Sequence, residues 1–113
     1  MDLGTKFWLE EKGKSVLGAG RLALLKAIEN EGSISGAAKK LNISFRSAWG
    51  SVGDAEENLG VKLLERWKGG TGGGRTTLTP EARELVAKFD KLVNETREFA
   101  DRRFHSIFEG RSP

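Results

Sequence analysis

Gly32 to Pro80 reads GSISGAAKKLNISFRSAWGSVGDAEENLGVKLLERWKGGTGGGRTTLTP. Two segments with helical spacing, Gly36–Leu41 and Phe45–Leu59, flank the short stretch Asn42-Ile43-Ser44. Two strand-forming runs follow, Leu63–Trp67 and Arg75–Leu78, separated by a loop with five glycines in seven positions, Lys68 to Gly74. Ser35 is the expected N-cap of the first segment, because a serine hydroxyl accepts from the freed N–H groups of a helix start. Ala37 and Ala38 are small enough to let another helix cross closely. Asn42 suits the left-handed conformation that ends a helix in a tight turn. Ile43 is expected to plug the angle between the helices, and Ser44 to cap the next one, which Gly60 stops.

At about 100° per residue, Ala48, Val52, Ala55 and Leu59 fall within one arc, the expected core face of Phe45–Leu59. Arg46, Gly50, Gly53 and Glu57 lie opposite. Phe45 and Trp49 occupy one flank, Ser47 and Asp54 the other. The outward positions of the first two turns are therefore small or basic, as a helix inserted into a DNA groove requires. Two helices, a tight turn and two strands around a glycine-rich loop form the layout of a winged helix-turn-helix, which places one helix in the major groove and a loop against the neighbouring backbone.

Working outward, Gly20–Asn30 carries Leu22, Leu25, Ala27 and Ile28 as an apolar stripe, with Leu24 beside it, and reads as a helix. Lys6–Glu10 and Ser15–Leu17 are candidate strands of a small hairpin. Thr79 and Pro80 are an N-cap and a first helical residue, with Glu81 and Glu84 in the first turn. The helix they open can run to about Phe108, roughly 40 Å at ~1.5 Å per residue. Leu85, Phe89, Leu92, Thr96 and Phe99 form one apolar seam along it. Ala82, Val86, Phe89, Val93, Ala100, Phe104 and Ile107 form a second. One seam can pack on the helix's own domain; the other needs a partner, most simply a second copy of the same helix. Leu85, Phe89, Leu92, Val93, Phe99 and Phe104 are the candidate dimer residues. The fold class is thus mainly α: a short N-terminal strand or hairpin, three helices, a two-stranded wing and a long dimerisation helix. Residues 1–79 are the winged unit; residues 80–113 are the long helix and tail.

The chain has 113 residues, no cysteine, one histidine and a formal net charge of +3. Without cysteine it has no disulfide, thiolate metal site or thiol nucleophile. No apolar run is long enough to span a membrane and no secretory signal is present, so cytoplasmic location at the nucleoid is the default expectation, with no membrane partner. The charge distribution says more than its sum. Lys39, Lys40 and Arg46 are the only charges from Gly32 to Gly53, and Lys62, Arg66, Lys68 and Arg75 face a single Glu65 from Lys62 to Pro80. A basic surface on one contiguous motif is the footprint of a polyanion binder.

Ser33-Ile-Ser-Gly-Ala-Ala-Lys-Lys-Leu-Asn-Ile-Ser44, followed by a helix, by Leu59-Gly-Val-Lys-Leu-Leu-Glu-Arg66 and by Leu78-Thr-Pro-Glu-Ala82, resembles the helix-turn-helix of LysR-type regulators. Ser44-Phe-Arg-Ser-Ala-Trp49 and the Gly69–Gly74 loop look more narrowly like the molybdate-responsive ModE regulators. The resemblance covers about residues 6–100. It implies a homodimeric transcription factor on an inverted-repeat operator, with a long dimerisation helix. Two positions depart from the family pattern: Thr71 stands where a basic residue is usual, and Arg75 where a glycine is. Family members sense molybdate with C-terminal oxyanion-binding domains, and this sequence stops at Pro113, so neither molybdate nor tungstate is an expected ligand and no cofactor is expected.

Helix phase assigns the roles. Ser44 and the adjoining N–H groups can hold a phosphate. Arg46 is the best base reader, because its fork matches guanine O6 and N7. Ser47 can bond a base edge or a phosphate. Phe45 can meet a thymine methyl, with packing at the helix corner the favoured alternative, and Trp49 is expected at the core margin. Ser33 and Ser35 are phosphate candidates. Gly50 keeps the outer face shallow. In the wing, Gly70 permits close backbone approach while Lys68 and Arg75 supply charge.

Other classes fare worse. Gly69-x-x-x-x-Gly74-Arg75-Thr76 nearly matches a phosphate-binding loop, but arginine replaces its lysine and a strand follows where a helix must start. His105 has neither a second histidine nor a cysteine to complete a metal site. No nucleophile–base pair or paired carboxylates point to an enzyme. The alternatives to DNA binding are a winged-helix protein-interaction module and an RNA-binding module.

Overall fold

The computed structural model describes residues 1–69 and 74–110. Among these described residues eight elements follow one another: β1 (Leu9–Glu11), β2 (Lys14–Leu17), α1 (Ala19–Glu31), α2 (Ile34–Lys40), α3 (Phe45–Leu59), β3 (Leu64–Trp67), β4 (Arg75–Leu78) and α4 (Pro80–Glu109). This is the expected winged helix-turn-helix with a long last helix.

β1 and β2 form an antiparallel hairpin closed by Lys12 and Gly13, both at positive φ. Two such residues give the primed turn whose twist matches the strands it joins. The hairpin starts later than the sequence suggests, since Lys6, Phe7 and Trp8 lie before the paired residues. A register shift near Glu10 lets Val16 and Leu17, neighbours in sequence, both be buried. In a regular strand they would face opposite sides.

α1, α2 and α3 enclose the core with Leu17 and Leu78 from the strands and Leu63 from the residue just before β3. Ala37, Ala48 and Ala55 are fully buried, so small side chains set the close approach of the helices. Asn42 takes φ 56°, and the turn between α2 and α3 is held by Ile43 N–H donating to the Ala38 carbonyl at 2.9 Å. Ile43 itself is exposed rather than wedged between the helices. α2 also begins earlier than expected. Its N-cap is Ser33, whose hydroxyl accepts from Gly36 N–H at 2.9 Å, while Ser35 is an exposed residue inside the helix. Burial of Ile34 explains the shift, because placing that side chain in the core draws it into the first turn.

β3 and β4 pair antiparallel, with Trp67 opposite Arg75 and Leu64 opposite Leu78. A side chain at Gly74 would meet the Trp67 carbonyl oxygen at 2.5 Å, so only glycine fits where the wing loop rejoins β4. β4 is tied to α1 as well as to β3: Thr76 N–H donates to the Gly32 carbonyl at 2.8 Å. Gly32 sits at φ 77°, and a Cβ there would lie 2.7 Å from an Arg75 guanidinium nitrogen.

α4 opens at Thr79, whose hydroxyl accepts from Ala82 N–H at 3.1 Å and donates to the Lys62 carbonyl at 2.9 Å. Ala82, Val86, Phe89 and Val93 join the core. Beyond them α4 continues past the globular part of a molecule 60 Å long and 30 Å wide. There Arg97 donates to Thr5 Oγ1 at 3.3 Å and lies 5.9 Å from the Phe7 ring, so the N-terminal segment reaches α4. No helix among the described residues is long and apolar enough to cross a membrane.

Candidate nucleic-acid interface

α3 presents its N-terminal half to solvent. Ser44 caps it by accepting from Ser47 N–H at 3.0 Å, and its hydroxyl also donates to Ser47 Oγ at 3.0 Å. Ala48 and Val52 point into the core, which leaves Phe45, Arg46 and Ser47 outward. Arg46 has no hydrogen-bond or ion-pair partner among the described residues. Gly50 follows one turn later, and nothing lies within 4 Å of where its Cβ would be. Ser44, Phe45, Arg46, Ser47 and Gly50 thus share one end of one helix. Ala48 and Val52 behind them are buried in the core, and the hydrogen bonds of the Ser44 and Ser47 side chains are local.

Two aromatic residues correct the sequence expectation. Phe45 is 51% exposed rather than packed at the helix corner, and Trp49 is 58% exposed rather than set at the core margin. They are four residues apart and therefore neighbours on one side of α3. The 3.6-residue period located that side correctly; nothing in the pattern shows that no element covers it.

Lys68 is exposed where β3 ends. Gly70 and Thr71 lie outside the described residues. Arg75 is exposed, yet its guanidinium turns back to α1 and donates to the Glu29 carbonyl at 3.3 Å. That carbonyl belongs to the last turn of α1, where the helix dipole favours a cation. Arg75 therefore stands at α1 rather than with the cluster at the start of α3.

Carboxylates do structural work that the sequence did not announce. Arg83 holds Glu29 below the ordinary glutamate range, more than burial raises it, and Leu78 N–H adds a further hydrogen bond. Glu56 accepts from Leu63 N–H at 2.8 Å where the chain enters β3. His105 pairs with Glu109 one turn away. Among the described residues no group of side chains is arranged to hold a metal.

α4 sorts its two apolar seams. Leu85, Phe89 and Val93 pack in the chain's own core, and Phe104 is buried and stacks on Phe108. Leu92 and Phe99, 55% and 57% exposed, remain open along with Ile107 and Phe108. Of the six residues expected to meet a second copy, only Leu92 and Phe99 present their surface freely. The crossing of α4 over α1 and β4 takes the Val86–Phe89–Val93 seam inward, and Phe89, common to both seams, goes with it.

Comparison with known proteins agrees with this geometry. The transcriptional regulator ModE of Yersinia pestis is 43% identical over 73 residues, which are 65% of this chain and 28% of that protein. The molybdenum transport protein ModE of Azotobacter vinelandii is 42% identical over 83 residues, 73% of this chain and 30% of its own. The chain thus spans less than a third of the length of these relatives. Among solved structures, the BenM_DBD/catB site 1 DNA complex contains a chain matched with a TM-score of 0.58 over 81% of this chain and 94% of its own, at 24% identity, which establishes a shared fold. Residues 20–83 match the bacterial regulatory helix-turn-helix protein model of the lysR family, and the chain belongs to that family.

Proposed function

We propose that this chain is the DNA-reading unit of a transcriptional regulator, and that it binds an inverted-repeat operator as a homodimer. The observation that carries the proposal is the open N-terminal half of α3, where Arg46 has no partner and Phe45 and Ser47 face outward. In the complex, Arg46 reads a guanine edge, while Phe45 and Ser47 contact neighbouring bases. Gly50 lets α3 lie close to the groove floor. Ser33, Ser35 and Ser44 meet phosphates, with Ser33 and Ser44 capping their helices at the same time. Lys68 and Arg75 belong to the wing, and Arg75 must leave the α1 carbonyl to reach DNA. Leu92 and Phe99 form the centre of the pairing between the two α4 helices. Two recognition helices then stand about 34 Å apart, one turn of the duplex.

A regulator that reads a bacterial chromosome works in the cytoplasm, and that location is part of the proposal. Molybdate and tungstate are assigned no site on the described residues; calorimetry with either oxyanion checks this.

The deciding experiment is selection of bound sequences from a random duplex library at near-physiological salt. The expected result is an enriched inverted repeat with half-sites about one helical turn apart. A folded protein that enriches no sequence overturns specific DNA recognition and leaves the interaction module as the better description.

A further inference from the structure

The three tryptophans are not equivalent. Trp8 Nε1–H donates to Glu10 Oε2 at 2.7 Å, and Trp67 Nε1–H donates to Thr77 Oγ1 at 2.8 Å. Trp49 Nε1–H has no acceptor among the described residues, although its ring stands well out from α3. The ring lines a cleft of about 420 Å³ between the flank of α3 and β3. Lys62 and Arg66 line the opposite wall. Strand alternation sends Leu64 and Arg66 to this side and Glu65 to the other, where Glu65 acts on Arg83. Neither Lys62 nor Arg66 has a carboxylate partner among the described residues. Glu56 is the one acid lining the cleft, and it is already committed to Leu63 N–H. Gly53 leaves the α3 wall without a side chain.

We infer that this cleft holds the DNA backbone. Lys62 and Arg66 neutralise phosphates, and Trp49 donates Nε1–H to a phosphate oxygen while its ring packs on the adjoining deoxyribose. The inference rests on the DNA-binding proposal and deepens it with three residues outside the tip of α3 and the wing loop. The chemistry of the cleft selects this occupant. Two cations and a donor-only indole N–H require an acceptor rich in negative charge. With α3 in the major groove and the wing over the adjacent minor groove, the strand dividing the grooves passes between α3 and β3, where the cleft lies. These contacts touch no base edge, so they act on every sequence alike.

The test is titration of a mixed-sequence DNA duplex over a series of salt concentrations. It uses the whole chain and the variants Lys62→Ala, Arg66→Ala, Arg66→Lys and Trp49→Phe, each checked by thermal unfolding. Lys62→Ala and Arg66→Ala are each expected to weaken binding several-fold and to flatten the dependence of log K on log salt by about 0.9. Arg66→Lys restores the slope, because a phosphate accepts either cation. Trp49→Phe keeps the slope and weakens binding several-fold, equally on mixed-sequence and library-selected duplexes. Unchanged slopes for Lys62→Ala and Arg66→Ala, in a protein whose binding still depends on Arg46, overturn the inference and leave DNA recognition standing. A loss confined to one sequence for Trp49→Phe overturns its backbone role. Failure of the unmodified chain to bind any duplex overturns the DNA-binding proposal itself.

Discussion

Glu29 and Arg83 meet side by side: Arg83 Nε lies 3.2 Å from Glu29 Oε2, and Arg83 Nη2 lies 3.2 Å from Oε1. Oε2 also accepts from Leu78 N–H at 3.1 Å. One carboxylate of α1 therefore fastens β4 and α4, and Thr76 N–H bonded to the Gly32 carbonyl reinforces the joint. Both the wing and the long helix are anchored to α1. α3 carries little of that tethering, so its outer face is left to the ligand.

Removing the Glu29 carboxylate tests this joint. Glu29→Ala leaves Leu78 N–H without its acceptor in a buried setting, which costs about 1–3 kcal/mol. Glu29→Gln keeps an acceptor but loses the charge. Because Arg83 holds the folded carboxyl below the ordinary value of 4.5, folding favours the ionised form. That contribution is complete above the unfolded value and fades as pH falls through the folded one. Urea unfolding of the wild type and Glu29→Gln from about pH 7 to about pH 3 is expected to show a stability difference that narrows on acidification. A difference that stays constant or widens shows that the charged pair does not stabilise the fold.

Gly50 separates stability from binding. Helix-interior glycine is about 1 kcal/mol less favourable than alanine, and the space around Gly50 is open. Gly50→Ala is therefore expected to raise stability by roughly 0.5–1 kcal/mol. The same methyl stands between α3 and the groove floor, so affinity for the selected operator falls. Calorimetric unfolding and a DNA titration on the same sample give both numbers. Higher stability with unchanged affinity removes Gly50 from the DNA-facing surface.

The chain shows which features a sequence carries locally. Ser44, Asn42, Gly60 and the Thr79–Pro80 pair act within one turn of themselves, and the bounds of α3 and the start of α4 agree with expectation. Features set by distant packing were harder to read. Ser33 and Ser35 are both good caps, and only burial of Ile34 chooses between them. The ring of Trp49 has the same composition buried or bare, and that β3 faces that flank of α3 across a cleft without covering it is a tertiary fact. Arg75 follows a run of glycines and reads as a wing charge, yet α1 supplies an acceptor that sequence distance conceals. In the candidate site, the exposure of Ser44, Arg46 and Ser47 at the tip of α3 was legible because helix phase alone turns them outward, whereas that of Phe45 was not; the cleft shared with Lys62 and Arg66 was not legible either, because it joins two elements.

Arg46 carries the base-reading part of the proposal. Arg46→Ala is expected to weaken binding to the selected operator by about 1–3 kcal/mol and to relax preference at one base per half-site. It disturbs no intramolecular bond, so the unfolding midpoint stays close to the wild-type value. Repeating the library selection with the variant reads both effects. An equal loss on operator and mixed-sequence duplex would make Arg46 a phosphate contact instead.

The two seams of α4 make opposite predictions. Phe89 is buried in the chain's own core, so Phe89→Ala destabilises the fold by about 3–5 kcal/mol whatever the oligomeric state. Leu92 and Phe99 are more than half exposed, so replacing both with glutamate removes little from the single chain. In a homodimer the same pair would place four carboxylates in an apolar seam, where unpaired charge is strongly disfavoured. The double variant Leu92→Glu, Phe99→Glu is expected to be a folded monomer by sedimentation, with circular dichroism like the wild type and weakened binding to a two-half-site operator. A double variant that stays dimeric moves the interface off this seam, and a wild-type chain that sediments as a monomer at micromolar concentration removes the homodimer from the proposal.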